Sequence, residues 1–248
     1  MTFARRLAAR EPLLGTFLKT PHPHIVEVLA TAGLDCLCID AEHAPFDRGT
    51  LDACIFAARA AGFPVLVRPA SAAPEHILNA LDCGADGVVV PHVRSAAEAR
   101  AVAKACRYGP GGRGYAGSSR AAGYGTVAMA AHRASSDGVI VIAQIEDAEA
   151  LDGIDAIAAT DGIDALFVGR ADLTVALDCA DQDDPRVVDA VARIVAAAAA
   201  AGRPCGMFLA RPSDAGEWRA RGASLFLLAS DHAFLRSGAA QLRAAAAI

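Results

Sequence analysis

Lysine is almost missing from this chain: positions 19 and 104 hold the only two. Acidic residues outnumber basic ones, 28 to 23, for a formal net charge of −5. That balance offers no basic patch and excludes nucleic acid as a partner. No apolar run approaches the ~18 residues of a membrane-spanning helix. Met1 to Arg10 is basic, but Glu11, Pro12 and Gly15 follow where a secretion signal needs an apolar segment, so the chain reads as cytoplasmic. None of the seven cysteines forms a CxxC pair, and an odd, scattered set excludes a disulfide frame and a zinc site. They read as reduced, buried thiols, with Cys36 and Cys38 on one strand face. A dinucleotide fingerprint follows none of the apolar runs. No Gly-Lys-Ser/Thr step closes the glycine-rich stretch at 108–125, which excludes a nucleotide P-loop.

What is present is apolar material, 54% of 248 residues, enough for a large core. Short, nearly continuous hydrophobic runs recur at 14–18, 36–40, 65–68, 87–91, 139–145, 165–169, 205–209 and 224–228. Such runs suit parallel strands covered on both faces. Amphipathic stretches separate them, at 24–32, 50–61, 74–83, 96–106, 148–159 and 186–201. Several helical units close on a glycine (Gly33, Gly62, Gly84, Gly202, Gly222), the residue that favours a helix C-terminus. Eight strand–helix units predict a closed (β/α)8 TIM barrel, with an open doubly wound sheet as the alternative. No linker divides residues 1–248, which read as one domain. An alanine-rich helix from Asp231 to Ile248 ends the chain, and its composition suits packing against a neighbouring subunit. The long stretch from Tyr108 to Gly125 holds seven glycines. It is expected to be a lid or a subunit contact, the latter being favoured, anchored by Arg113 and Arg120.

In such a barrel the reactive groups collect where strands end. The most informative end is Ile39-Asp40-Ala41-Glu42-His43-Ala44-Pro45, an apolar strand that delivers three ionisable side chains and stops at a proline. Its alternative reading is a helix entrance, with Asp47 capping a helix that opens near Thr50 and Glu42 favouring the dipole. The third strand ends in Val67-Arg68-Pro69. The fifth ends in Gln144-Ile145-Glu146, where strand alternation places Gln144 and Glu146 on one face. The sixth ends in Gly169-Arg170-Ala171-Asp172-Leu173, a turn into a short helix. Each residue has a structural explanation of its own: Arg68 as an ion-pair partner, Glu146 and Asp172 as helix caps. All of them falling at one mouth of a barrel is a poor coincidence. The carboxylates Glu146 and Asp172 could hold one divalent cation in the open, oxygen-rich arrangement that Mg²⁺ and Mn²⁺ prefer.

From Gly15 to about Gly222 the chain resembles the HpcH/HpaI-type class II pyruvate aldolases, of the 4-hydroxy-2-oxoheptanedioate and 2-keto-3-deoxy sugar-acid type. The matching motifs begin with Gly15-Thr16-Phe17, Asp40 to Pro45, Val67-Arg68-Pro69 and Leu81-Asp82-Cys83-Gly84-Ala85. Val90-Pro91, Gly112-Arg113-Gly114, Gln144-Ile145-Glu146 and Gly169 to Leu173 complete the set. The resemblance implies a TIM barrel with a C-terminal helix swapped between subunits, assembled as a homohexamer, a trimer of dimers. It implies reversible aldol cleavage, with pyruvate or hydroxypyruvate as enolate donor and an aldehyde as acceptor. It also implies a divalent metal (Mg²⁺, Mn²⁺ or Co²⁺), with no organic cofactor.

Residue by residue, the resemblance makes Glu146 and Asp172 the metal ligands and Arg68 the group that steadies the enolate oxygen. His43 becomes the base, acting through a water, with Asp40 orienting it. Gln144 contacts the keto acid, whose carboxylate is received by the turn at Gly169, Ala171 and Asp172, and Asp82 enters the adjacent subunit's site. No Schiff-base lysine is required, in keeping with Lys104 lying mid-helix. Arg170 and Asp147 depart from the family pattern, the first beside the carboxylate-binding turn and the second beside a metal ligand. Two rivals stand: a citramalyl- or malyl-CoA lyase on the same barrel, for which this lysine-poor chain offers little phosphate-binding charge, and a non-catalytic barrel module. His22 and His24 look like chelators but open a helix. His76, His132 and His232 are expected on helix surfaces, and His92, at a strand end, is the next residue to test.

Overall fold

The computed structural model describes residues 1–246. Eight parallel strands close on themselves in sequence order. They are β1 (Leu13–Leu18), β2 (Cys36–Asp40), β3 (Val65–Arg68), β4 (Gly87–Val90), β5 (Ile140–Ile145), β6 (Ala165–Val168), β7 (Cys205–Leu209) and β8 (Leu225–Ser230). Between and around them lie α1 (Phe3–Ala8), α2 (Pro23–Ala30), α3 (Arg48–Ala60), α4 (Pro74–Asp82), α5 (Ala96–Ala105) and α6 (Met129–Ser135). The remaining helices are α7 (Ile154–Ala158), α8 (Arg170–Ala176), α9 (Pro185–Ala200), α10 (Ala215–Ala220) and α11 (Asp231–Ala246). The expected (β/α)8 barrel is what forms, and the five glycines read as helix ends all take positive φ, between 64° and 110°.

Strand alternation divides the apolar residues into two cores. Phe17, Cys38, Leu66, Val89, Ile142, Phe167 and Leu227 pack together inside the barrel. Ile39, Val67, Val88, Val90, Ile145 and Val168 join the larger cluster shared with the helices. Phe3 and Leu7 of α1 belong to the inner cluster and plug the end of the barrel where the strands begin. The close approach of β4 to β5 depends on Gly87, which is paired with Ile140. A Cβ there would overlap the Ile140 carbonyl oxygen and lie 2.6 Å from the Ile140 Cβ. Gly87→Ala is therefore expected to destabilise the protein by about 3 kcal/mol in denaturant unfolding, an overpacking penalty.

Three differences from the sequence reading have local causes. The helix expected at 148–159 is a 3-10 turn, Ala148–Gly153, followed by the short α7. Gly153, at φ −111° and ψ 15°, breaks the helical path between them. The short helices α1 and α6 show no apolar period in the sequence, and α10 is announced there only by the glycine that closes it, Gly222. His132 is buried, not on a helix surface: its Nε2 lies 2.8 Å from the Tyr108 hydroxyl. The C-terminal helix begins at Asp231 as expected and is described to Ala246; residues 247 and 248, included in the expected helix, lie outside the described residues. Residues 239–246 of α11 are exposed, as are Leu235 and Leu242. At its start, the Asp231 carboxylate accepts the backbone N–H groups of Lys19 (2.7 Å) and Thr20 (3.0 Å), tying α11 to the end of β1.

Candidate active site

The parallel register of β2 and β3 sets Asp40 directly beside Arg68. Neighbouring positions on paired strands share a face, so the two side chains meet at the barrel mouth. Arg68 Nε donates to Asp40 Oδ1 at 3.0 Å, and Nη2 lies 2.8 Å from Oδ2. Asp40 has no exposed surface, and Lys19 Nζ approaches it to 3.3 Å. Burial works against the Asp40 charge, but the Arg68 guanidinium outweighs it and holds the carboxyl below its ordinary range. Asp40 Oδ1 also accepts the backbone N–H of His43 at 3.1 Å. Asp40 thus fixes the loop that carries His43, whose ring Nε2 stands 3.7 Å from Glu42 Oε2. The Arg68 guanidinium stacks on Phe17, 4.6 Å from the ring centre, and Nε reaches to 3.3 Å from Glu42 Oε2.

Strand alternation places Gln144 and Glu146 together as expected: Gln144 Nε2 donates to Glu146 Oε2. Glu146 is buried, and the absence of a side chain at Gly169 makes room for it. A Cβ on Gly169 would lie 2.5 Å from Glu146 Oε2. The other oxygen, Oε1, accepts the backbone N–H of His92 at 2.9 Å. Burial pushes the Glu42 carboxyl up to about 7; the Glu146 charge adds to the rise while Arg68 opposes it. Burial likewise resists a charge on His92, but its Asp147 partner and the facing Glu146 and Glu42 hold it above the ordinary histidine value.

A cavity of about 260 Å³ opens at this mouth. Of the residues singled out from the sequence, it is lined by His43, Arg68, Gln144, Gly169, Ala171 and Asp172. Asp40 and Glu146 lie buried against that set, and Asp172 is exposed at the rim on the first turn of α8. Phe17, Phe167 and Phe208 form its apolar wall. Asp82 stands apart, buried and ion-paired with Arg113 of the glycine-rich stretch. Arg120 anchors the same stretch to Asp52 of α3, its Nη2 2.5 Å from Oδ2. Both arginines act as anchors, though onto their own chain. Arg170 lines the cavity yet sends its guanidinium over Trp218 and donates to the Gln182 carbonyl at 2.8 Å. Asp47 does cap α3, accepting from Thr50 N at 2.7 Å, while Glu42 and His43 upstream belong to the mouth. Both readings of that loop hold, for different residues.

Among the described residues, the metal-ligating side chains that gather most closely are Glu42, His92 and Glu146, with one donor atom from each lying within 4.8 Å of the others. Glu42 and His92 were given no role from the sequence, and neither was Lys19, which lines the cavity. The signals were weak but present: Glu42 lies in the catalytic stretch, and His92 follows Pro91 at a strand end.

Residues 13–237 match the family described as HpcH/HpaI aldolase/citrate lyase. The chain belongs to the HpcH/HpaI aldolase/citrate lyase family. A 5-keto-4-deoxy-D-glucarate aldolase of Shigella dysenteriae serotype 1 is 35% identical over 242 residues, 97% of this chain and 94% of that one. The crystal structure of a HpcH/HpaI aldolase/citrate lyase family protein from Burkholderia cenocepacia J2315 superposes with a TM-score of 0.93 at 33% identity, covering 99% of this chain and 98% of that one. That of a HpcH/HpaI aldolase from Desulfitobacterium hafniense DCB-2 gives 0.89 at 32%, covering 97% and 95%. This HpcH/HpaI chain is accordingly a carbon–carbon lyase of the aldolase type.

Proposed function

We propose that the protein is a divalent-metal-dependent 2-oxo-acid aldolase that cleaves an open-chain keto sugar acid of the 5-keto-4-deoxy-D-glucarate class. Pyruvate or hydroxypyruvate is the donor and an aldehyde the acceptor in the reverse direction. The observation that carries this reading is the Asp40–Arg68 pair converging with Glu42, Gln144 and Glu146 on one phenylalanine-walled cavity. The residues present fit a divalent cation. Glu42 Oε2 and Gln144 Oε1 are buried oxygens that accept no hydrogen bond, and burial, with the Glu146 charge beside it, makes the Glu42 carboxylate costly to keep ionised without a cation. Glu146 and Asp172 would hold the ion. When bound, it supplies Lewis-acid polarisation of the substrate keto group.

The remaining work falls to this chain's own groups. In cleavage, a base removes the proton of the hydroxyl beta to the keto carbon. The bond between the alpha and beta carbons breaks, the aldehyde leaves, and the electron pair passes into the pyruvate enolate. His43, exposed at the cavity edge, moves that proton through a water and returns one to the enolate carbon. Arg68, held in place by Asp40 and Phe17, meets the charge that develops on the enolate oxygen. Gln144 contacts the keto acid. N–H groups in the turn Gly169, Ala171 and Asp172 receive its carboxylate.

His43→Ala is expected to slow deuterium exchange at the methyl group of pyruvate by about 100-fold or more, read by proton NMR. Exchange at the wild-type rate would remove His43 from the role of base. Removal of metal with EDTA is expected to abolish cleavage, and Mg²⁺, Mn²⁺ or Co²⁺ to restore it. Since the family description includes citrate lyase, the same assays are run on citramalyl-CoA. Turnover there without aldolase activity would replace this reading with the CoA-ester one.

The same reading includes the quaternary expectation, a homohexamer of swapped-helix dimers in which Asp82 enters a neighbour's site. The exposed Leu235 and Leu242 of α11 support it. The seven free thiols support a reducing compartment such as the cytoplasm.

A further inference from the structure

One cation at the barrel mouth has no part in the chemistry above. Strand alternation carries past the end of β1: Phe17 faces the barrel interior, Leu18 faces the helices, and Lys19 comes round to the cavity, about 6.6 Å nearer the opening than Phe17. Its backbone N–H is pinned to the Asp231 carboxylate at 2.7 Å, so the root of the side chain is fixed, while 32% of the side-chain surface stays exposed. Among the described residues, four basic side chains line the cavity, and three are committed. His43 is the base, Arg68 is bound to Asp40 and stacked on Phe17, and Arg170 turns away to Trp218, the Gln182 carbonyl and Asp183. Lys19 Nζ has one polar partner among the described residues, Asp40 Oδ2 at 3.3 Å, and that carboxylate already takes two contacts from Arg68. An ammonium group has three N–H donors, so two are left over.

Strand β8 brings a second donor to the same place. The β1–β8 register slips between Gly15 and Phe17, which pair with Leu227 and Ser230, so β8 holds one residue more than β1 over that interval. Ala229 absorbs the extra residue in the left-handed region, φ 49°, where residues other than glycine are seldom found. A bulge of this kind re-aims the residue beside it, and Ser230 lines the cavity together with Lys19. The closed strand order sets β1 opposite β5, so Lys19 stands across the mouth from Gln144, which contacts the oxo-acid end of the substrate.

We infer that Lys19, with Ser230, binds the carboxylate at the aldehyde end of a diacid substrate and makes the enzyme select acceptors that carry one. The inference rests on the aldolase reading above and extends it to the other end of the substrate. A keto sugar acid of the glucarate class is charged at both ends, and cleavage between its alpha and beta carbons leaves the distal carboxylate on the aldehyde.

The test measures condensation of pyruvate by the full-length, metal-loaded enzyme with two aldehydes that differ at one carbon. In 2-hydroxy-3-oxopropanoate the terminal group is a carboxylate, and in glyceraldehyde it is an uncharged CH2OH. The wild type is expected to favour the acid aldehyde in kcat/KM by about tenfold or more, a preference that added salt erodes. Lys19→Met is expected to lose most of that preference, chiefly through KM for the acid aldehyde, and Ser230→Ala a smaller part of it. Lys19→Arg, which keeps the charge, is expected to retain it. A wild type with no preference between the two aldehydes would overturn the inference, even if the variants failed to fold. Equal losses on both aldehydes in Lys19→Met would also overturn it and reduce Lys19 to a second counter-ion for Asp40. So would borohydride trapping of pyruvate on Lys19, which would give the amine a Schiff-base role. A wild type that condenses pyruvate with neither aldehyde would instead overturn the aldolase reading itself.

Discussion

Arg68→Ala will lower kcat by about 100- to 1,000-fold, the loss found when one preorganised donor to a developing oxyanion is removed. It will also destabilise the fold by about 3–5 kcal/mol, because Asp40 is left as a buried charge without its main partner. Lys19, 3.3 Å from Asp40, compensates only in part. The two effects separate with pH. Arg68 holds the folded-state value of Asp40 low, so the stability it contributes is present above the ordinary carboxylate range and lost as pH falls through the lowered folded value. The stability gap between variant and wild type is therefore widest near neutrality and narrows in acid, while the loss of kcat persists. Arg68→Lys is not a conservative repair. A point charge cannot span Asp40 and Glu42 while stacking on Phe17, as the guanidinium does. Thermal unfolding across pH, with steady-state cleavage assays, measures both. An Arg68→Ala protein of wild-type stability at neutral pH would show that Asp40 does not depend on this pair.

Glu146→Gln is expected to abolish divalent-cation binding and to reduce cleavage at least about 1,000-fold, several kcal/mol of lost charge stabilisation. The change is isosteric and touches little else. The amide oxygen can still accept the His92 N–H, and Gly169 still leaves the side chain its space. What is removed is the negative charge, together with the acceptor for Gln144 Nε2. Calorimetry with Mn²⁺ and Co²⁺, beside single-turnover cleavage, would show the two losses together. Full activity in this variant would mean that Glu146 ligates nothing.

The barrel was legible because each strand is a continuous apolar run and five of the helical units close on a glycine that needs positive φ. Those signals are local, and they survive any tertiary arrangement. The strand-end rule then pointed to Asp40, Arg68, Gln144, Glu146 and the Gly169 turn, and the folded chain gathers them around one mouth. Less local facts were not legible. That Asp40 lies beside Arg68 depends on the register of β2 and β3, which no run of residues announces. That Asp40 reaches His43 through the backbone depends on how tightly the loop turns after β2. His92 stands out in the sequence only as a strand-end residue to test, without a role: a left-handed turn usually advertises itself with glycine or asparagine, and here a histidine adopts it. His132 was misplaced because a histidine on a short helix gives no sign of the Tyr108 hydroxyl above it.

The carboxylate of Asp231 has a mechanical meaning. Two backbone amides at the lip of β1 hang from the first residue of the last helix, and one of them belongs to Lys19, whose side chain borders the reaction chamber. Whatever grips the exposed flank of that helix therefore tugs on the lip, whereas a load applied at the plugged floor, through Phe3 and Leu7, meets hydrocarbon packing and the ion pair of Arg6 with Asp35.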